Sequence, residues 1–259
     1  MFASRCILIV GVSLVLSGLA KCESLSAKQE ADIVKFISHE ILIYDVHDEA
    51  TLNKCLVKLT ALLRPYMRYG IKTWNVPVLE PMFLKSVRIL TPETQLKAQF
   101  KDVLIYGLSK FKVNYIKTYP EKYTFDFSLQ FPDLKLLGYY DLDGQILIMK
   151  LKDHGPFTAN ITNVEAIVKN KFEVTNGVLL LKEVNTDFTF DKFRFHLDNL
   201  FQGSEVGETV NESLNQQVDV LLKELKPGFV KEINKIVIQT LQKGLQNLPL
   251  KKWQAAIRQ

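Results

Sequence analysis

The stretch from Gly203 to Leu248 limits what this chain can become more than any other. Apolar residues recur there in steps of three and four, at Val206, Val210, Leu214, Val218, Leu221/Leu222, Leu225, Phe229, Ile233, Ile236/Val237, Leu241, Leu245 and Leu248. That spacing draws a single apolar stripe along a helix. Ser204 is placed to cap it, Glu205 and Glu208 suit the positive end of its dipole, and Lys243, Lys251 and Lys252 suit the other end. The stripe keeps its phase across Pro227-Gly228, which predicts a kink there rather than a stop. Two shorter helices meeting at Pro227 are the alternative. An unbroken helix from Val206 onward would be roughly 64 Å long at 1.5 Å per residue. A sphere built from the whole remaining chain would be only about 45 Å across. Either the body is elongated along this helix or the helix bends.

The N-terminus reads as a secretory leader over 1–20. Arg5 supplies the positive start, Ile7–Leu16 is apolar apart from Gly11 and Ser13, and Gly18-Leu19-Ala20 offers small residues for cleavage. Ala20-Lys21-Cys22 is a second candidate site, so the leader ends at 20 or at 22. No later stretch has the roughly 18 apolar residues that a membrane helix needs, so the expected product is exported and has no integral membrane segment. Removing Arg5 takes the net charge from +5 to +4, and the remaining Lys and Arg are scattered. Scatter argues against a nucleic-acid partner. Cys6 leaves with the leader, so Cys55 has Cys22 as its candidate disulfide partner if cleavage spares it. Asn160-Ile-Thr162 and Asn211-Glu-Ser213 are N-glycosylation sequons. Asn211 falls in the first turns of the long helix, so a glycan there requires an exposed face.

Taken in order, Ala27–Tyr44 carries Ile33, Ile37, Ile41 and Tyr44 at helical spacing. Asp48 then caps a second helix with the stripe Leu52, Cys55/Leu56, Leu59, Leu62/Leu63 and Tyr66, closed by Gly70, with Pro65 bending or ending it. Ile71–Pro81 is proline-bounded and extended. From Met82 to Phe195 the period changes to two. Tyr123, Phe125, Phe127, Leu129 and Phe131 alternate with polar residues, and Phe111, Val113 and Tyr115 do so before them. Further runs follow at Leu134–Asp141, Ile146–Leu151, Phe157–Val168, Phe172–Leu181 and Thr186–Phe195. Turn signals separate them at Pro120, Pro132-Asp133, Asp143-Gly144, Gly155-Pro156, Asn170-Lys171, Asn176-Gly177 and Asn185. The expected fold is α+β: a curved antiparallel sheet wrapped around the long C-terminal helix, with shorter N-terminal helices. The inward aromatics either fill that interior or leave an apolar slot along the helix.

Several motifs resemble those of one family. Leu63-Arg64-Pro65-Tyr66 leading to Gly70-Ile71, then Val76-Pro77-Val78-Leu79-Glu80-Pro81, is similar to the first signature of the insect juvenile-hormone-binding and takeout-like proteins. Gly107-Leu108-Ser109 fits the next element. Pro132-Asp133-Leu134, Gly138-Tyr139-Tyr140 and Gly144-Gln145-Ile146-Leu147, followed by Gly155-Pro156-Phe157, resemble the second. Asn199-Leu200-Phe201 with Gly203, then Glu224-Leu225-Lys226-Pro227, looks like the family's C-terminal helix. The resemblance implies an internal hydrophobic tunnel and an architecture like that of bactericidal-permeability-type lipid-transfer proteins. It divides the chain into a leader, an N-terminal helical extension over 23–47, a takeout-like lipid-binding domain over 48–250 and a tail over 251–259. The family's usual cysteine about ten residues before Cys55 is absent; Ile43, Tyr44 and Asp45 stand there.

Chemistry finds little purchase. The chain has no Gly-x-Ser-x-Gly elbow, phosphate loop or HExxH pair. His39, His47, His154 and His196 are dispersed, and Asp141-x-Asp143-Gly144 lacks the later acids of a calcium loop. No enzyme, metal or cofactor is expected. The expected function is a secreted carrier of a small elongated hydrophobic ligand, a juvenile-hormone-like terpenoid, fatty acyl chain or isoprenoid. The alternative is an extracellular lipid- or membrane-surface-binding protein of the bactericidal-permeability type. Expected ligand contacts are Phe125, Phe127 and Leu129 on the sheet, Leu225, Phe229 and Ile233 on the helix, and Trp74 at the mouth. Tyr115, Tyr123 and Tyr140 are the candidates for reading the ligand's polar end, because a phenol carries one donor-acceptor group on an apolar body.

Overall fold

The computed structural model describes residues 25–42, 49–91, 96–119, 122–146, 149–175 and 178–247. The leader, Cys22, Asp48 and the tail lie outside the described residues. Helix α1 (Ala27–Leu42) opens on a capping box: Ser26 Oγ accepts from the Gln29 amide and the Ser26 amide donates back to Gln29 Oε1. Helix α2 (Glu49–Met67) carries Pro65 in its last turn and continues to Met67. Leu25, Ile33, Cys55, Leu59 and Ile71 form a small core of their own between these helices. Glu30 is buried there and accepts from the Lys72 and Thr73 amides and the Thr73 hydroxyl, closing the 3-10 turn Lys72–Trp74. The Thr73 hydroxyl, then the two amides, holds its carboxyl below the usual range although burial opposes this. Helix α2 docks on the sheet through Asn53, whose Oδ1 accepts from the amide and hydroxyl of Thr118.

The sheet has seven antiparallel strands: β1 (Met82–Thr91), β2 (Leu96–Tyr106), β3 (Lys112–Tyr119), β4 (Thr124–Ile146), β5 (Met149–Thr175), β6 (Val178–Thr189) and β7 (Lys192–Leu197). The spine is the β4–β5 hairpin, in unbroken register from Thr124↔Lys171 to Ile146↔Met149. At one end β2, then β1, lies beside β4 and β7 lies beside β5. At the other end β3 flanks β4 and β6 flanks β5.

Five expected turns are therefore overturned. Pro132-Asp133 and Asp143-Gly144 lie within β4, and Gly155-Pro156 and Asn170-Lys171 lie within β5. Asn185 likewise lies inside β6. A turn preference amounts to about a kilocalorie locally, and the long ladders outweigh it. Pro132 still leaves a mark. Opposite it, Asn163 takes left-handed backbone with φ 53°, and the inward residues change parity there. Phe127 packs inward on the near side, whereas Leu136, Tyr140 and Leu142 do so beyond it. Gly138 lies on that inward face, and the Phe157 ring of its cross-strand partner covers it.

The long helix is real but is not one helix. It divides into α3 (Glu205–Gln216) and α4 (Val218–Asn247), with the break at Gln217. Pro227, expected to kink the helix or divide it, sits inside α4 on the exposed side. Ser204 holds the N-cap position of α3, without a side-chain bond to the helix. α4 is about 45 Å long at 1.5 Å per residue and packs against β1 and β6, the two edges of the strand order β1-β2-β4-β5-β6. Gly228 sets its approach to β1, since a Cβ there would lie 2.5 Å from Cγ2 of buried Ile89. The sheet thus curls until both its edges meet one helix.

Candidate ligand-binding site

The inner face of the sheet and the stripe of α4 meet in two separate apolar clusters. In the first, Leu221, Leu225 and Phe229 of α4 pack with Ile89, Phe100, Tyr140 and Phe157. Phe100 joins the helix to the sheet, its ring centroid 6.5 Å from Phe229 and 5.1 Å from Phe157. In the second, Val237, Ile238 and Leu241 pack with Phe127, Val168, Leu181 and Val184. Ile233 of α4 and Leu129 of β4, both half-buried, belong to neither cluster. Leu225, Phe229, Val237 and Leu241 are half-buried as well, although they form the core-facing stripe. Ile233 lies on α4 between Phe229 of the first cluster and Val237 of the second, so the two clusters leave a gap in the stripe.

Of the expected apolar contacts, Phe127, Leu225 and Phe229 thus line this interface, and Leu129 and Ile233 fall between the clusters. Phe125 is half-buried with its ring 5.6 Å from that of Phe127. Trp74 closes the 3-10 turn, and its side chain lies outside the described residues.

None of the three tyrosines reads the interior. In β3 the register passes from Val113↔Leu129 to Tyr115↔Ser128, so Asn114 is an extra residue and everything after it changes face. Ile116 and Thr118 are buried in consequence, and Tyr115 sits on the outer face beneath the Lys117 ammonium, 5.1 Å from its ring centre. Tyr123 precedes β4 with φ 51° and is 52% exposed. Tyr140 is 1% exposed, but its hydroxyl is committed: it donates to the Asp198 carbonyl at 3.0 Å. The reason is Pro156. The Asp198 amide donates to the Pro156 carbonyl, and the reciprocal ladder bond is impossible because proline has no N–H. Tyr140 supplies the missing donor. Burial pushes its phenol up to about 12, with the charges of Asp153 and Asp198 adding to the effect. Tyr140→Phe is therefore expected to leave ligand affinity unchanged and to lower stability by about 1 kcal/mol. A denaturation midpoint equal to wild type, or a tenfold loss of affinity for a polar-ended ligand, would contradict this.

Sequence reasoning missed a set of inward polar residues. Asn170 is 2% exposed and Thr186 4%, and Oδ1 of Asn170, Oγ1 of Thr186 and Oδ1 of Asn234 are buried with no hydrogen-bond partner among the described residues. Their signal was present: each is a polar residue at an inward position of an apolar pattern. The sequons separate. Asn160 is exposed on β5, as a glycan requires. Asn211 is 3% exposed, and its amide bonds both the N–H and the C=O of Leu197 in β7. The exposed face expected of Asn211 is not there, because α3 uses this residue to hold the sheet. Cys55 is buried beside Leu25, three residues after Cys22.

A small surface pocket of about 170 Å³ opens elsewhere, between Glu80, Lys110, Asp133 and Asn160. Its walls mix polar and apolar surface, Glu80 is engaged by the Gly107 amide and the Ser109 hydroxyl, and its volume falls short of the roughly 300 Å³ at which ligand pockets begin. The apolar interface under α4 is the better site for an elongated ligand. Among the described residues no group of three or more His, Cys, Asp or Glu is arranged for a metal ion, and no helix is long and apolar enough to cross a membrane.

Comparison with known proteins agrees with this fold. The family model of the haemolymph juvenile hormone binding proteins matches residues 31–255. The circadian clock-controlled protein daywake of Drosophila yakuba is 24% identical over 212 residues, covering 76% of this chain and 82% of that protein. Its Drosophila melanogaster counterpart is 23% identical over the same shares. The crystal structure of Takeout 1 from Epiphyas postvittana superposes with a TM-score of 0.67 at 20% identity, over 77% of this chain and 94% of that one.

Proposed function

Because the chain belongs to the haemolymph juvenile hormone binding protein family, we propose that it is a secreted carrier that holds one elongated apolar molecule in a tunnel between α4 and the sheet. One observation carries this reading: α4 packs against β1 and β6, yet its core-facing stripe residues Leu225, Phe229 and Ile233 stay only half-buried. A core that exists only for stability would cover that stripe, since each covered side chain contributes about 1.5–3 kcal/mol. The ligand is a terpenoid, fatty acyl chain or isoprenoid lying along Phe127, Leu129, Leu225, Phe229 and Ile233, with Phe125 and Trp74 toward the ends. Secretion is supported by the leader read over 1–20 and by a family described from haemolymph. Asn160 is the sequon suited to carry a glycan. The protein works by binding rather than by catalysis.

The energetics are reasonable. A ligand that buries about 350 Å² of apolar surface gains roughly 9 kcal/mol at 25 cal/mol/Å². Ordering costs reduce that to micromolar-to-nanomolar affinity. The test is displacement of the fluorescent apolar probe N-phenyl-naphthylamine, together with mass spectrometry of solvent extracts of the purified protein. Saturable probe binding is expected, and it should fall at least tenfold in Ile233→Trp, whose larger side chain occupies the gap, while the denaturation midpoint holds. If wild type neither binds the probe nor carries an extractable apolar compound, the carrier reading is wrong.

A further inference from the structure

We propose that Asn170, Thr186 and Asn234 form the seat for the ligand's polar end, and that they select a hydroxyl terminus over an ether or ester. This rests on the carrier reading above. The three residues are placed together by the ladder and the helix. Thr186 pairs directly with Val168 across β5 and β6, and Asn170 lies two residues further along the same face of β5. Helix direction along β6 is fixed at both ends: Lys226 Nζ binds Asp187 at 2.6 Å, and Val237, Ile238 and Leu241 pack on Leu181 and Val184. Asn234, one turn before Ile238, therefore falls at the level between Asp187 and Leu181, where Thr186 and Val184 lie. It is also one residue from Ile233, in the gap between the two apolar clusters.

The chemistry of the free atoms sets the preference. Asn170 Nδ2 donates to the Phe125 carbonyl at 2.9 Å, which fixes its amide and turns Oδ1 to the interior as an acceptor. Asn234 contributes a second buried acceptor, and Thr186 a hydroxyl that can donate or accept. A buried acceptor left without a donor is costly, so such atoms are normally paired. Two acceptors and one hydroxyl are best satisfied by a group that both donates and accepts, which an alcohol does. An ether or ester only accepts, and it would leave both amide oxygens orphaned. Val168, Val184, Val237 and Ile238 form an apolar cluster beside the seat, against which its polar atoms stand out.

Competition against N-phenyl-naphthylamine with a chain-matched series of hexadecane, hexadecyl methyl ether and hexadecanol tests this in wild type, Thr186→Val and Asn234→Leu. Wild type is expected to bind the alcohol about tenfold more tightly than the ether, the size of one to two hydrogen bonds. Each variant should bring the two affinities within about threefold while hexadecane binding stays the same. Thr186→Val should not lower the denaturation midpoint, because its hydroxyl has no partner in the fold to lose; a merely structural threonine would. Equal affinity for alcohol and ether in wild type, or an undiminished preference in both variants, overturns the proposal while hexadecane binding keeps the carrier reading. If no member of the series displaces the probe, both readings fall.

Discussion

Asn211→Leu is expected to lower stability by on the order of 3–4 kcal/mol, because it orphans two buried backbone groups at once, each costing about 1–3 kcal/mol. The Leu197 amide donates to Asn211 Oδ1 at 2.9 Å, and Asn211 Nδ2 donates to the Leu197 carbonyl at 3.0 Å. Four residues on, Asn215 does the same for Phe195, at 3.0 and 2.7 Å. The spacing explains why a helix can do this. Four helical residues rise about 6 Å and two strand residues about 6.7 Å, so two asparagines one turn apart meet alternate residues of β7. Its outer edge is thereby paired by side chains in place of a further strand. The midpoint of thermal unfolding should fall by about 6–16 °C at the usual scaling for a chain of this size. A shift under about 3 °C would show that these amide bonds are replaced by water at little cost.

Gly107→Ala is expected to cost about 3 kcal/mol or more, from a left-handed strain of about 1–2 kcal/mol and a collision that only backbone movement relieves. Gly107 has φ 94°, and a Cβ there would run into the Asp133 carbonyl oxygen. The same residue donates its amide to both Glu80 carboxylate oxygens, at 3.0 and 3.1 Å, beside the Ser109 hydroxyl at 2.8 Å. Three sequence motifs that resembled family signatures, around Glu80, Gly107 and Pro132-Asp133, thus converge on one joint. Ser109→Ala is the control: it removes a single hydrogen bond and should cost about 1–2 kcal/mol. Should Gly107→Ala melt with wild type, the close approach of β4 to this turn would be wrong.

Much of this architecture was legible along the chain. The three-and-four spacing that ends in α4, the alternation of Phe125, Phe127 and Leu129, and the helical stripe through Cys55 and Leu59 all report which face is covered. Each element needs only its own residues to state that. The family motifs were legible for a related reason: Gly107 and Gly155 stand where a Cβ would strike the backbone of a distant residue, so the constraint leaves a residue type behind it.

What only the tertiary structure decided is where each face points once strands are paired. Asn114 and the Pro132–Asn163 step each change inward for outward, and a period of two carries no memory across such a point. That is why Tyr115 lies outside while Ile116 and Thr118 are buried within. Pro156 removed a ladder donor, and the Tyr140 hydroxyl took its place from a strand away. Pro132, Gly155-Pro156 and Asn170-Lys171 read locally as turns, yet the ladders on either side held them extended. Local preference is settled among neighbours in sequence. Facing, burial and the partner of each polar atom are settled among neighbours in space, and in the paired strands around β4 and β5 those are mostly different residues.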